Sequence, residues 1–353
     1  MCRGPLHSFL ARLPKCEHHI HIEGSLSHHL LFELAARNKI TLPSPQSDPA
    51  FASPSALLER YNAFTSLDDF LHYYYIGMAV LIHASDFEDL AYAYLCRANA
   101  DGVMHAEIFF DPQAHTSRGV AYNDVVNGLT RGCKRAQEDL GITTKLILCI
   151  LRHLPVHSGL DTFDAALLHF QNGHVSGIGL DSSEKDFPPK LFEPIYTSAK
   201  KSGLRLTAHA GEEGDASYVR DALDILGVER IDHGVRLVED PDLMKRVAAS
   251  KTLLTVCPLS NQRLGVVKAV KDLPLRKMLD AGVRFSINSD DPAYFGGYIL
   301  DNYCAVQDAF DLSVDEWRGI AIASIEGSWC SEERKSVMLE RLEEVVRMFR
   351  KEQ

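Results

Sequence analysis

Cys16-Glu17-His18-His19-Ile20-His21-Ile22-Glu23-Gly24 is the stretch of the sequence on which the interpretation of the fold and the site depends. In an extended strand, residues two apart point to the same side, so His19 and His21 share one face. Two imidazoles on one strand face are well placed to hold a metal ion. Short histidine motifs also arise by chance in plain polar strands. The metal hypothesis therefore depends on further ligands from later parts of the chain.

Length and composition are those of an ordinary globular protein. The chain has 353 residues, of which 46% are hydrophobic and 24% charged. The formal net charge is −11 and Lys and Arg form no block, which argues against a nucleic acid or an anionic membrane as partner. We see no secretory signal, no bilayer-spanning apolar run and no Cys-x-x-Cys. We therefore expect a soluble protein of the cytoplasm, with the nucleus as an open second location.

Short apolar runs rich in β-branched residues alternate with helical patterns along the chain. Several runs are apolar on both faces, as in parallel strands that helices cover. The predicted strands are Glu17–Ile22, Val103–Phe109, Thr144–Leu151, Val175–Leu180, Leu204–Ala208, Arg230–Asp232, Thr252–Cys257 and Val283–Asn288. Eight strand–helix units predict an α/β fold, a (β/α)8 TIM barrel in which residues 1–353 form a single domain.

One segment departs from this alternation. Residues 41–56 are rich in Pro, Ser and Ala and predict a loop, and a helical stretch follows it. We expect a Pro/Ser-rich loop and helical insertion at about 41–100, between the first two strands. Long insertions after a barrel strand usually sit over its catalytic end, so this one is either a lid or a passive surface excursion.

Polar side chains follow the carboxyl ends of several strands, which is where barrel enzymes place their active sites. Because these ends converge on one rim, distant residues can form one metal shell. The predicted ligands are His19, His21, His209 and Asp290. Three imidazoles and a carboxylate suit one Zn²⁺ ion per chain with a water at an open position, while ligand type leaves Fe²⁺ and Mn²⁺ open.

Neighbouring groups match the other needs of metal-assisted hydrolysis. A base must accept a proton from the activated water, and His233 or Asp291 can do so. An acid must protonate the electrophile, and Glu212 lies three residues past a predicted ligand. Its neighbour Glu213 competes for that role, and only geometry can decide between them.

The end of the fourth strand, residues 177–183, contains no lysine. Barrel hydrolases with two metals often bridge them with a carboxylated lysine at this point, so its absence favours one metal. Ser182 and Ser183 are small enough for their backbone N–H groups to meet a flat substrate edge. A plain tight turn is the alternative interpretation.

Five motifs occur in a fixed order: His19-Ile20-His21, His209-Ala210-Gly211-Glu212, His233-Gly234, Cys257-Pro258 and Asp290-Asp291-Pro292. Over residues 12–350 the chain resembles the adenosine/adenine deaminase family of the amidohydrolase superfamily. Within that family it is most similar to the adenine deaminases, especially the fungal type.

The resemblance implies zinc-dependent hydrolytic deamination of adenine to hypoxanthine and ammonia, a reaction of purine salvage. It assigns the Zn²⁺ ion to the four predicted ligands. It implies that Glu212 protonates purine N1 and that His233 orients or deprotonates the attacking water. Asp291 would then hydrogen-bond the hydroxide and the N7 edge of the purine.

Two departures from the adenosine-specific pattern concern the sugar. Adenosine deaminases usually carry an aspartate that meets the ribose where this chain has Glu23, and an Ala-Gly-Asp-Glu turn where it has Asp181-Ser182-Ser183-Glu184. The longer Glu23 side chain fills space that a ribose needs, so we expect the free base as substrate. The predicted substrate contacts are Asp291, Glu23, Ser182 and Ser183.

Three alternatives stay open at this point. The same chemistry can act on adenosine, or on an N6-substituted adenine or its nucleotide. A non-haem iron oxygenase also uses histidines and a carboxylate, but usually only three protein ligands. The third alternative is a non-catalytic purine-binding protein on the same barrel. No oligomeric state is predicted.

Overall fold

The computed structural model describes residues 4–352, except for the side chains of residues 67 and 68, and its centre is a parallel β-barrel. Strands β1 to β8 are Lys15–His21, Val103–Phe110, Thr143–Leu151, Gly177–Asp181, Arg205–Ala210, Arg230–His233, Leu253–Val256 and Phe285–Ile287. Each strand pairs with the next, and a single bridge between Ile20 and Asp290 joins the last strand region to the first. The predicted TIM barrel is confirmed, and each predicted strand is observed.

The strand ends differ from the prediction most clearly at β8, which is shorter than Val283–Asn288. Asn288, just after β8, bonds to both neighbouring strands, since its backbone N–H donates to the carbonyl of Val256 in β7 at 2.9 Å and its side chain contacts β1. The Asn288 Oδ1 atom accepts a hydrogen bond from the backbone N–H of His18 at 2.8 Å.

Helices surround the barrel and carry the connections. Helices α1 to α17 are His7–Arg12, His28–Asn38, Pro54–Tyr61, Leu67–Met78, Ala84–Ala100, Pro112–Thr116, Tyr122–Leu140, Val156–Gln171, Glu193–Lys201, Ala216–Asp221, Pro241–Ser250, Pro258–Arg263, Leu275–Asp280, Pro292–Phe295, Ile299–Phe310, Val314–Gly327 and Glu332–Glu352. Short 3-10 segments lie at Glu23–Ser25, Pro49–Ala52, Pro189–Phe192, Val235–Glu239 and Val270–Asp272, and a π-helical turn at Ala222–Leu226. Within residues 4–352 no helix is long and apolar enough to cross a bilayer.

Helix ends follow local sequence. The π-helical turn ends at Gly227, whose φ of 69° lies in the left-handed region that glycine adopts readily. Ser313 opens α16 with a capping box: its Oγ accepts from the N–H of Glu316 at 3.2 Å, and its own N–H donates to that glutamate at 2.7 Å.

The connection between β1 and β2 contains the four helices α2 to α5. Two of them, α4 and α5, occupy different parts of the barrel. Helix α5 packs against α7 and β2 on the outside of the barrel, so it is a regular barrel helix. Helix α4 instead lies at the mouth of the barrel, where Phe70, Leu71, Tyr74 and Tyr75 line the cavity next to the predicted site residues. The predicted insertion at about 41–100 thus includes one helix of the barrel itself, and its action as a lid stays a prediction.

Candidate active site

The four predicted metal ligands come together at the carboxyl end of the barrel. One donor atom from each of His19, His21, His209 and Asp290 lies within 4.8 Å of the others. The Nε2 atoms of His21 and His209 are 3.2 Å apart, and Nε2 of His19 is 3.2 Å from Oδ1 of Asp290. His19 Nε2 is buried without a hydrogen-bond partner. This donor set fits one zinc ion.

Backbone pairing fixes where these ligands stand. The N–H of His21 donates to the carbonyl of Asp290 at 3.0 Å, and the N–H of Asp290 donates to the carbonyl of His19 at 3.0 Å. Asp290 has a φ of 64°, in the left-handed region that aspartate enters more easily than most residues. The bridge therefore places His19 and His21 of the first strand next to Asp290, which follows the last strand.

A neighbouring cluster offers a cysteine as well. Donor atoms of His19, His233, Cys257 and Asp290 also lie within 4.8 Å of one another. Burial, followed by the charges of Asp290 and Glu212, raises the pKa of the Cys257 thiol well above its usual value. The three histidines and Asp290 are the cluster that coincides with the ligands predicted from the sequence.

Glu212 is the predicted acid that faces the cavity. Its Oε1 accepts from Nδ2 of Asn261 at 3.0 Å, and its Oε2 lies 3.3 Å from Nε2 of His233. Burial and then the charge of Asp290 raise the pKa of Glu212 well above its usual value, so the carboxyl group can keep a proton to donate. Glu213 instead is exposed and accepts from Ser183 Oγ, which leaves Glu212 as the geometric choice.

His233 lies between the acid and the metal ligands. Its Nε2 is 3.9 Å from Oδ2 of Asp290, and its Nδ1 is 3.4 Å from Nδ2 of Asn261. Burial and then the nearby His19 lower the pKa of His233 to about 3, so its ring is neutral at pH 7. Asn261 was not predicted as a site residue from the sequence, and the structure places it against both Glu212 and His233.

Aromatic and aliphatic side chains line the rest of the cavity together with three carboxyl groups, and about 60 Å³ of it is open to the centre of a water molecule. Asp111, Asp181 and Asp291 line it, and each has a buried Oδ1 without a hydrogen-bond partner. Burial is the largest cause that raises the pKa of all three, to about 8 for Asp111. The cavity thus presents acceptors and neutral carboxyl groups to a small molecule.

Sequence reasoning missed Asp111, Tyr74 and Tyr75. Asp111 directly follows β2, so the strand-end rule applied to other strands would have selected it. The tyrosines belong to α4, inside the insertion that the sequence left open as a lid or a surface excursion, and no sequence pattern selects these two side chains.

Of the other predicted substrate contacts, Ser182 lines the cavity and Glu23 lies behind its wall. Ser182 lines the cavity with a φ of 69°, and its Oγ is 2.8 Å from Nδ1 of His153. Glu23 is not among the described residues that line the cavity. Its Oε1 accepts from the N–H of Asp111 at 3.1 Å and lies 2.9 Å from His115 Nε2. Glu23 therefore holds the cavity wall from behind, and its direct contact with a substrate, like that of Ser183, stays a prediction.

Comparison with known families decides what kind of chain this is. The family model described as adenosine deaminase matches residues 14–345. The chain belongs to the adenosine deaminase family. The adenine deaminase of Aspergillus fumigatus is 59% identical over 348 residues, which cover 98% of each chain. That of Schizosaccharomyces pombe is 55% identical over 351 residues, covering 99% of this chain and 95% of the relative.

Solved structures agree with this family membership. An adenine deaminase from Arthrobacter aurescens superimposes with a TM-score of 0.90 at 47% identity, covering 95% of this chain and 99% of that chain. An amidohydrolase from Burkholderia ambifaria, solved with bound Zn, gives a TM-score of 0.85 at 27% identity over 98% of this chain and 96% of that chain. The resemblance that the five motifs indicated is confirmed.

Gly24 packs so closely on Asp291 that a side chain does not fit. A Cβ atom there would lie 2.6 Å from Cβ and Cγ of Asp291. We expect Gly24→Ala to lower the free energy of unfolding by about 1–3 kcal/mol through overpacking. The control is Gly319→Ala in α16, where no atom lies within 4 Å, and it should be neutral or stabilising. Urea denaturation of both variants checks this, and equal midpoints would contradict it.

Asp111 should make the stability of the metal-free protein depend on pH. Its folded pKa of about 8 lies above the ordinary 3.8, so the folded state holds a proton that the unfolded chain releases. The free energy of unfolding should fall as pH rises between these values. Asp111→Asn should make the fall shallower by up to about 1.4 kcal/mol per pH unit.

Urea denaturation of metal-free protein at pH 5, 6 and 7 measures this slope. The exposed Asp164→Asn on α8 is the matched control and should leave the slope unchanged. Parallel curves for Asp111→Asn and wild type would show that the predicted proton is absent.

Proposed function

We propose that this protein is an adenine deaminase, a hydrolase that replaces the 6-amino group of adenine with the oxygen of water and gives hypoxanthine and ammonia. The observation that carries the proposal is the position of Glu212, which lines one cavity together with His21, His209 and Asp290 of the four-ligand cluster. The curated fungal relatives named adenine deaminase, at up to 59% identity over 98% of the chain, support the choice of substrate.

We propose one Zn²⁺ ion per chain, held by His19, His21, His209 and Asp290. When bound, the ion lowers the pKa of a water molecule to about 7 and so makes a hydroxide nucleophile available at neutral pH. The bound Zn of the Burkholderia amidohydrolase supports this choice over Fe²⁺ or Mn²⁺. Four protein ligands also disfavour the oxygenase alternative, which usually leaves more positions open.

The chain's own acid and base then have distinct tasks. Glu212 donates its proton to purine N1, which makes C6 electron-poor and open to attack. The neutral His233 accepts the proton of the attacking water and can return it to the departing amine. Asn261 bonds Glu212 and lies against His233, and so keeps the two groups on the same side of the cavity.

Asp291 is the proposed contact for the imidazole edge of the purine. Burial and then the charge of Asp290 raise the pKa of Asp291 well above its usual value, so it can donate a proton to the acceptor N7. Asp290 is instead proposed to coordinate the metal as a charged carboxylate. The adjacent residues Asp290 and Asp291 thus act in different forms, the first as a charged carboxylate and the second as a neutral carboxyl group.

The cavity favours a free base. Asp111 and Asp181 each bury an oxygen without a donor, and a base unsubstituted at N9 offers a ring N–H that a nucleoside lacks. Ribose hydroxyls are donors too, so adenosine is the second candidate. The lining residues among those described include no Lys or Arg, which disfavours a nucleotide. Ser182 and Glu23 are proposed to shape this end of the site.

The proposal includes a single domain over residues 1–353. It also includes a role in purine salvage and a location in the cytoplasm or nucleus. The small purine is the proposed partner.

Glu212→Gln tests the assignment of the acid. The amide cannot give up a proton, so kcat should fall by about 10²–10⁴-fold while the zinc content stays at one per chain. Ammonia release from adenine and metal analysis measure the two quantities. The exposed Glu213→Gln is the control and should turn over like wild type. Near-normal turnover by Glu212→Gln would disprove the assignment.

Substrate profiling and metal removal test the reaction itself. We expect kcat/KM for adenine to exceed that for adenosine by about 10⁴-fold or more, because the unpartnered oxygens of the buried carboxyl groups lose a donor when N9 carries a sugar. Chelation should abolish turnover, and added Zn²⁺ should restore it. A preference for adenosine would favour the second candidate. Inactivity of the zinc-loaded protein on all purines would favour the non-catalytic alternative.

A further inference from the structure

Asp232 is a fully buried carboxylate of β6 that lies beneath the metal ligands. Its Oδ1 accepts from Oγ1 of Thr255 at 3.0 Å, and its Oδ2 accepts from Oγ1 of Thr207 at 2.6 Å. A carboxylate only accepts hydrogen bonds, so both threonine hydroxyl protons point toward Asp232. The direction of these two bonds is therefore fixed.

The direction of the Thr255–Asp232 hydrogen bond determines which ring nitrogen of His19 carries a proton. The Oγ1 atom of Thr255 lies 2.9 Å from Nδ1 of His19. Since Thr255 has one hydroxyl proton and uses it toward Asp232, its oxygen can only accept from His19. His19 must then carry its proton on Nδ1. Its Nε2, which lies 3.2 Å from Oδ1 of Asp290 within the ligand cluster, is then the nitrogen available to a metal ion.

His209 faces the Asp232 carboxylate directly, with no threonine hydroxyl between them. Its Nδ1 is 3.8 Å from Oδ2 of Asp232 and has no hydrogen-bond partner. The negative charge favours a proton on this nitrogen, because an N–H is attracted to the carboxylate and a lone pair is repelled. The other ring nitrogen of His209 then faces Nε2 of His21 as a lone pair.

A buried cation offsets the charge of Asp232. Arg230 places its Nε 3.6 Å from Oδ1 of Asp232 and pairs with Glu107 through its other end. Its guanidinium lies over the ring of Trp329 at 4.2 Å. Asp232 is thus held in one orientation by two hydroxyl groups and a buried cation, and it is not among the described residues that line the cavity.

We propose that Asp232 and Thr255 are positioning residues that set the tautomers of two metal ligands. Asp232 acts directly on His209 and, through the Thr255 hydroxyl, on His19. This inference rests on the proposed metal centre and adds how the chain prepares it. Groups that orient metal-ligating histidines typically change metal affinity by about 10–100-fold when they are replaced.

Thr255→Val is the first test, because it keeps the shape of the side chain and removes the hydroxyl. We expect the Zn²⁺ affinity, measured by competition with a chromogenic chelator, to fall by about 10–100-fold. Thr255→Ser restores the hydroxyl and should bind zinc like wild type. Thr143→Val is the matched control: it removes a threonine 2.8 Å from Nδ1 of His105, away from the ligand cluster, and should leave affinity unchanged.

Asp232→Asn is a second test that does not depend on Thr255→Val being well folded. Its amide nitrogen can donate to Thr255, which lets that hydroxyl turn its proton toward His19 and drives the His19 proton to Nε2. Zinc affinity should again fall, and the visible spectrum of the Co²⁺-loaded variant should differ from that of wild type.

The outcomes separate this inference from the proposed function. If wild type binds no zinc, the metal centre and this inference both fail. If wild type binds zinc and folded Thr255→Val binds it equally well, the inference fails alone. Equal losses in Thr143→Val and Thr255→Val would also overturn it, since they would indicate a general packing effect.

Discussion

The backbone bridge between β1 and Asp290 is the interaction on which the site depends. The barrel is joined there by two hydrogen bonds of 3.0 Å, and the bonded residues are themselves proposed ligands. Any opening of the sheet between its first and last strands would separate His19 and His21 from Asp290. Closure of the fold and assembly of the site are therefore one event, and the strained φ of 64° at Asp290 is tolerated because the bridge holds it.

Burial gives this site its electrostatic character. It raises the pKa of the cavity carboxyl groups, such as Glu212 and Asp291, and lowers the pKa of His233 and His209. Both changes drive the groups toward neutral forms. Neutral acids and neutral imidazoles are what a deaminase of this kind needs, since one must give a proton and the other must accept one. The protein obtains both from the same cause, the removal of water.

Much of the fold and of the metal cluster could be predicted from the sequence. The alternation of apolar strands with helices is local, and the rule that parallel strand ends converge brings His209 and Asp290 to His19. The choice between Glu212 and Glu213 could not be made, because neighbouring residues on a turn differ only in direction. Nor does any pattern indicate that Tyr74 reaches the rim or that Glu23 bonds His115, since both depend on the path of the long β1–β2 connection.

The spread of the ligands along the chain has a consequence for folding in time. His19 and His21 belong to the first strand, His209 to the fifth, and Asp290 follows the last. During synthesis the amino-terminal pair must wait for nearly the whole polypeptide, and pairing of such distant segments is slow. A metal that needs all four ligands would thus bind tightly only to finished, closed chains. Its capture would mark the end of folding, and unfinished chains would be left without that stabilisation.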